Sequence, residues 1–246
     1  MMPEEHILVI GGTGGVGEGI VEALLAEPGG RSVLVASRDA TKLEALRARR
    51  GEDARLVTLR GSVDNLQAAR SLLTAARSHG TLGAVVASLG GWWEGAPLTG
   101  LDEASWFDAL GELLTPHFMA ARTFVPALAE EPVRGASRYL LIGGGAALTP
   151  VPRSSLVSIA GAAQLMLARA LVAERPGLAQ PIVETLVVDG PVKTNARHHG
   201  PETEREITAR EVGDVVAALL RDGTTGTWPA VARDGMRIVM RPRPRS

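Results

Sequence analysis

The residues with the clearest chemical potential are three glycines, Gly11, Gly15 and Gly17, in residues 8–20, LVIGGTGGVGEGI. A short apolar run, residues 6–10, leads into them, and Ile20, Val21, Ala23, Leu24 and Leu25 follow at helical spacing. A strand, a glycine turn and an amphipathic helix in that order make a phosphate cradle. Gly11 permits a sharp turn off the strand, Gly15 lets backbone approach a pyrophosphate, and Gly17 lets the helix pack closely. Free N–H groups at the helix start, with the helix dipole behind them, then hold the phosphates. The expectation is nucleotide binding.

Composition narrows the classes. With 246 residues and 45% hydrophobic content, the chain can bury a sizeable core, and one domain over residues 1–246 is expected. A net charge of −1 gives no electrostatic reason to expect nucleic acid or an anionic membrane as a partner. The Arg-Pro tail, residues 241–245, is short enough to be a solvated end. The chain has no cysteine, which excludes disulfides and thiolate chemistry. The opening MMPEEH passes straight into the first strand without a signal-peptide apolar region, and no apolar stretch reaches the roughly 18 residues of a membrane span. A soluble, cytoplasmic protein is expected.

The elements that position the cradle follow from periodicity. Short apolar runs alternate with longer helical patterns, as in a parallel sheet covered on both faces. Further strands are expected at residues 32–37, 55–59, 82–88, 138–142, 181–188 and 236–240. Helices are expected at 41–49, from a cap at Asp64 to about 78, over 102–128, at 155–174 and at 211–220. Pro116 and Pro126 interrupt the region 102–128, which therefore reads as two or more pieces. Thr208 and Glu211 form a capping box. Residues 193–207 are polar and aperiodic and read as a mobile loop. No repeat or composition break appears. The fold class is α/β, a Rossmann-type doubly wound parallel sheet in a single domain.

The order of these pieces resembles the short-chain dehydrogenase/reductase family over nearly the whole chain. Gly11-x-x-x-Gly15-x-Gly17 has that family's spacing, Gly190-Pro191-Val192-x-Thr194 looks like its segment near the nicotinamide, and Arg169-Ala170-Leu171 with Glu174 matches the end of its central helix. The resemblance implies a dinucleotide held by Gly11, Thr13, Gly15, Val16, Gly17, Ser37, Arg38, Ser62, Val63, Ser88, Gly90, Gly190, Val192 and Thr194. At the end of the second strand an NAD-selective enzyme places a carboxylate on the ribose hydroxyl. Here Ser37 and Arg38 stand there, and a guanidinium can hold a 2′-phosphate. NADP(H) is therefore expected over NAD(H). Ser62-Val63 and Ser88-Leu89-Gly90 depart from the family's usual Asp and Asn-Ala-Gly.

The family reduces carbonyls with a tyrosine acid, a lysine, a serine and an asparagine. Aligned on Arg169-Ala170-Leu171, the tyrosine, lysine and serine positions fall on Val157, Gly161 and Gly144. Aligned on Thr115 and Phe118, the asparagine position falls on Leu113. None can give a proton, and the one tyrosine, Tyr139, precedes the strand-five glycines. The pocket is expected to be more apolar and more open than the family norm. Other residues near it by alignment are Ser88, Trp92, Trp93, Glu94, His117, Ser158, Asp189 and Lys193. His117, one helical turn beyond Leu113, is the candidate acid–base group. Asp189 takes the place of the family's proline and is equally suited to forming a turn. His198 and His199 are adjacent, which does not suit a shared metal ion, and no metal site is expected.

These readings converge on an NADP(H)-binding, formally oxidoreductase protein not suited to ordinary ketone and alcohol interconversion. The alternatives are a non-catalytic sensor or structural dinucleotide binder, or a non-redox enzyme on the same scaffold. Its other partner is an unidentified small molecule. Residues 113–128 and 159–172 are apolar around more than one face, with Ala160, Gly161, Ala162 and Ala163 permitting close helix contact. A homodimer, or a homotetramer built from it, is expected.

Overall fold

The computed structural model describes residues 5–51, 53–133, 135–175, 180–194, 206–228 and 231–242. Along the chain come β1 (Glu5–Ile10), α1 (Gly15–Ala26), β2 (Ser32–Ser37), α2 (Ala40–Arg50), β3 (Leu56–Arg60), α3 (Leu66–Arg77) and β4 (Thr81–Ala87). After a 3-10 turn at Leu98–Gly100 follow α4 (Glu103–Leu113), α5 (Thr115–Glu130) and β5 (Arg138–Gly144). A second 3-10 turn, Gly145–Ala147, precedes α6 (Ser155–Ala173) and β6 (Ile182–Val188). The chain closes with β7 (Val192–Lys193), β8 (Ile207–Thr208), α7 (Ala209–Asp222), β9 (Val231–Asp234) and β10 (Arg237–Met240).

The main sheet has eight strands in the order β3-β2-β1-β4-β5-β6-β10-β9, and every pairing is parallel except β9 with β10. Alternation along each strand fixes both faces. Ile7 and Val9 of β1 join the core under α1, α2 and α7, while Leu8 and Ile10 join the core under α3 and α5. Each expected parallel strand is present to within two residues, the largest difference being β5, which runs on through Gly143 and Gly144. The antiparallel edge strand β9 and the small β7–β8 ladder are additions that the sequence pattern did not announce.

Caps set the helix starts. Asp39, Asn65 and Asp102 accept hydrogen bonds from the backbone N–H groups of Lys42, Ala68 and Ser105 at 3.1, 2.9 and 2.7 Å. The cap of α3 is thus Asn65 and not the expected Asp64. Thr208 and Glu211 make the expected reciprocal box. The expected break in residues 102–128 comes at Leu114, just before Pro116 in the first turn of α5. Pro126 does not break α5. It lies on the exposed face beside exposed Arg122, where the carbonyl it leaves unpaired can be hydrated.

Two glycines bring helices together. A Cβ at Gly19 of α1 would lie 2.3 Å from the Ala209 carbonyl, and one at Gly213 of α7 would lie 2.3 Å from the Gly19 oxygen. α1 and α7 therefore cross backbone to backbone. In α6, Ala160, Gln164 and Ala168 face inward while Met166 is exposed. Contrary to the sequence reading, α6 is long and apolar enough, by length and composition alone, to cross a membrane. Here it packs on β5, β6 and α4.

Gly19→Ala tests the helix crossing. Overpacking of this kind costs about 1–3 kcal/mol, so urea unfolding should show that loss. Unchanged stability would mean that α1 and α7 are not held this closely.

Candidate functional site

Strand order reverses between β1 and β4, and the crevice outside the carboxyl ends of the strands at such a point is where doubly wound sheets bind ligands. The glycine turn occupies that edge. Gly11 has φ +81°, and a Cβ there would lie 2.1 Å from the Ser88 carbonyl oxygen at the end of β4. A Cβ on Gly17 would lie 2.2 Å from the Gly11 oxygen, so the start of α1 rests on the turn's own backbone. Gly14, the N-cap, has no side chain to satisfy the first N–H groups of α1. Thr194, brought back by the β7–β8 ladder, sets its Cβ 2.8 Å from where a Cβ of Gly15 would be. Residues far apart in sequence, Gly15 and Thr194, thus share one wall. Val16 and Val192 turn their side chains into the core beside it.

On the β2 side the Thr13 hydroxyl donates to Ser37 Oγ at 2.9 Å, and Ser37 Oγ also accepts from Asp39 N–H at 3.2 Å. Arg38 is 74% exposed, its guanidinium 3.6 Å from the Asp64 carboxylate. Ser62 stands partly exposed at the rim. Val63 faces the other way, with its side chain in the core at 2% exposure, so only its backbone remains for a ligand.

On the β4–β6 side lie half-buried Ser88, exposed Gly90 with φ +100°, and open Gly144. Asp189, at the tip of β6, accepts from Arg241 Nε at 3.0 Å through Oδ2. Gly190 lies under Pro242, 2.8 Å from where its Cβ would be. The Arg-Pro tail therefore begins as part of this edge. Gly161 does not open the pocket as expected, since the space for its Cβ is taken by Ala147, 2.9 Å away. Val157 and Leu113 belong to an apolar cluster with Leu156, Ala160, Trp93 and Trp106. Where α4 breaks, Gln164 of α6 reaches across and donates to the freed Leu113 carbonyl at 2.9 Å. That buried bond escaped the sequence reading; a glutamine in an apolar helix was its only signal.

The other candidates divide. Trp92 is exposed while Trp93 packs on the apolar cluster. Glu94 pairs with Arg153 at 3.2 Å, both well exposed, and Gly95 N–H bonds the Arg153 carbonyl at 2.9 Å. These bonds clasp the loop after β4 to the loop before α6. Ser158 is buried, accepting from Val151 N–H at 3.1 Å, and braces that second loop. Tyr139 is fully buried in the β5 core, and burial pushes its hydroxyl well above its ordinary pKa. Lys193 is exposed. Residues 195–205, with His198 and His199, lie outside the described residues.

His117 is not a solvent-facing acid. It has no exposed surface, and its Nε2 donates to the Leu89 carbonyl at 3.3 Å while Nδ1 has no partner. Burial, opposed in part by that bond, pushes its imidazole down to about 4. It is a neutral brace under the turn that follows β4.

The short chain dehydrogenase family pattern matches residues 5–205. This chain belongs to the short-chain dehydrogenase family. Among solved structures it is similar to ElxO with NADP bound (12% identity, 97% of each chain covered, TM-score 0.79). It is also similar to 3-hydroxyacyl-CoA dehydrogenase type-2 from Mycobacterium avium (23% identity, 97% of this chain and 94% of that one, TM-score 0.77). A third is 3-ketoacyl-(acyl-carrier-protein) reductase from Brucella melitensis complexed with NADH (14% identity, 96% of each chain, TM-score 0.76). Such distant likeness carries the fold and no more. No curated protein matches the chain.

In this short-chain dehydrogenase the buried His117 has a measurable signature. Its pKa is about 4 when folded against an ordinary 6.5, so between those values the unfolded chain takes up a proton that the folded chain does not. Stability is full above pH 6.5 and falls with pH through that window, by about 3 kcal/mol in total. Urea unfolding at pH 7 and pH 4.5 should show a smaller loss in His117→Gln than in the wild type. Equal losses would place the proton uptake elsewhere.

Proposed function

We propose that this protein binds NADP(H) across the crevice and that its site is not equipped for ordinary ketone and alcohol interconversion. The glycine turn fits a pyrophosphate, because Gly11 and Gly17 leave no room for side chains and the start of α1 has no side-chain cap. Gly15 and Thr194 would flank the phosphates, with Gly190 and Val192 behind Thr194. Thr13, Ser37, Ser62 and the backbone at Val63 would line the adenosine half, with Ser88 and Gly90 toward the other half. Arg38, exposed and only loosely paired with Asp64, supports a preference for the 2′-phosphate. The nicotinamide, when bound, would give or take a hydride.

One observation carries the second part. The positions that the family resemblance assigns to acid, cation, polariser and water relay are Val157, Gly161, Gly144 and Leu113. Ala147 fills the space beside Gly161, and an apolar cluster surrounds Val157 and Leu113. General acid catalysis contributes about 10²–10⁴-fold and oxyanion stabilisation about 10²–10³-fold. Without either, turnover of neutral carbonyls should be close to nil, whereas an already cationic acceptor needs no proton.

NADPH fluorescence titration should show tighter binding than NADH, with the difference reduced about tenfold or more in Arg38→Ala. Common aldehydes and ketones should not be reduced. Equal affinities would overturn the role of Arg38, and ordinary turnover on that panel would overturn the reading of the site. Silence on iminium and activated-alkene panels, with binding intact, would favour a non-catalytic role.

The assembly reading rests on a groove of about 510 Å³ between α5 and α6, lined by Leu114, Phe118, Ala163, Met166, Leu167 and Ala170. Phe118 and Met166 are 45% and 59% exposed. Of the small residues read as contact-forming, Ala163 lines this groove, whereas Ala160 is buried inward and Gly161 packs on Ala147. A second copy of the chain on this face gives a two-fold dimer, or a tetramer built from it. Light scattering should return at least a dimer, and a monomer at micromolar concentration would refute this.

A further inference from the structure

We propose that Asp189 is a cation-recognising residue, its carboxylate turned to a flat, delocalised organic cation over the β4–β6 half of the crevice. The inference rests on the dinucleotide reading above, since the second half of a dinucleotide lies on that side of the switch point. Asp189 is anchored through its backbone and through one carboxylate oxygen. Asp189 N–H donates to the Met240 carbonyl at 2.7 Å, and Arg241 Nε donates to Oδ2 at 3.0 Å. The Arg241 carbonyl is in turn fixed by Trp228 Nε1 at 3.1 Å.

The other oxygen, Oδ1, accepts no hydrogen bond from the described residues, and the side chain keeps 29% of its surface exposed. It leans over the end of β5, 2.4 Å from where a Cβ of Gly145 would stand. Any side chain at 145 would displace it. Gly144 alongside has nothing within 4 Å of its own Cβ position. Gly145 is therefore the clearance that a carboxylate at the tip of β6 needs. A carboxylate with one anchored and one open oxygen is suited to positive charge.

Two cations fit this chemistry: the oxidised nicotinamide ring itself, and an iminium or quaternised aromatic substrate beside the reduced cofactor. Dissociation constants for NADP+ and NADPH are measured by calorimetry in the wild type, Asp189→Asn and Arg241→Gln. If the ring is the cation, Asp189→Asn weakens NADP+ relative to NADPH by about three- to tenfold. Arg241→Gln, which frees the carboxylate from its competitor, moves the ratio the opposite way. A purely structural role would move both affinities together.

If the substrate is the cation, 1-methylquinolinium binds the NADPH-loaded wild type and loses that affinity in Asp189→Asn. An unchanged NADP+/NADPH ratio in both variants, together with quinolinium binding that ignores Asp189, overturns the inference while leaving dinucleotide binding intact. Failure of either dinucleotide to bind the wild type overturns the functional reading and this inference with it.

Discussion

The carboxyl edge of the sheet depends on a backbone-to-backbone contact that excludes every side chain. Gly11 turns under the Ser88 carbonyl, and Gly17 settles on the Gly11 carbonyl. These two approaches fix where α1 begins and where it points. Its direction then sets the second tier, because Gly19 of α1 and Gly213 of α7 let those helices touch through their backbones. The polar start of α1 and the apolar packing behind it are consequences of one geometric demand. A methyl group at any of these positions would have to move a main chain, which close-packed interiors resist.

Much of this was legible in the sequence for a physical reason. A strand buried on both faces is a short apolar run, and seven such runs bounded by helical patterns leave few topologies once crossovers are right-handed. What stayed illegible lacked periodicity. The β7–β8 ladder is too short to carry an alternation, and β9 is an edge strand after a loop. Asp64 and Asn65 are adjacent and equally good caps, so only geometry could choose between them. Pro126 shows the opposite limit, because a strong breaker is tolerated where its lost bond faces water.

The site divides in the same way. Glycine spacing announced the turn, whereas the approach of Thr194 to Gly15 became visible only in the folded chain. Side-chain direction was beyond reach. Val63 points into the core, and His117, which the break at Leu114 puts on a different helix from Leu113, is sealed under Leu89. Helical spacing says which residues share a face but not whether water reaches it. Desolvation then decides the chemistry, leaving His117 neutral where an exposed imidazole would titrate near neutrality.

Gly161 shows how a bare position in a helix is settled by packing. A glycine in mid-helix costs about 1 kcal/mol relative to alanine, so one that merely marked a lost lysine would leave a weakened helix beside a void. The 3-10 turn Gly145–Ala147 instead comes down on α6 there, with Ala147 in the place of a side chain. The same turn begins at Gly145, the residue whose bareness makes way for Asp189. One short segment thus packs on Gly161 and clears the Asp189 carboxylate. The two glycines meet the same short loop after β5. The packing of α6 and the room for the Asp189 side chain are thus set by the same few residues.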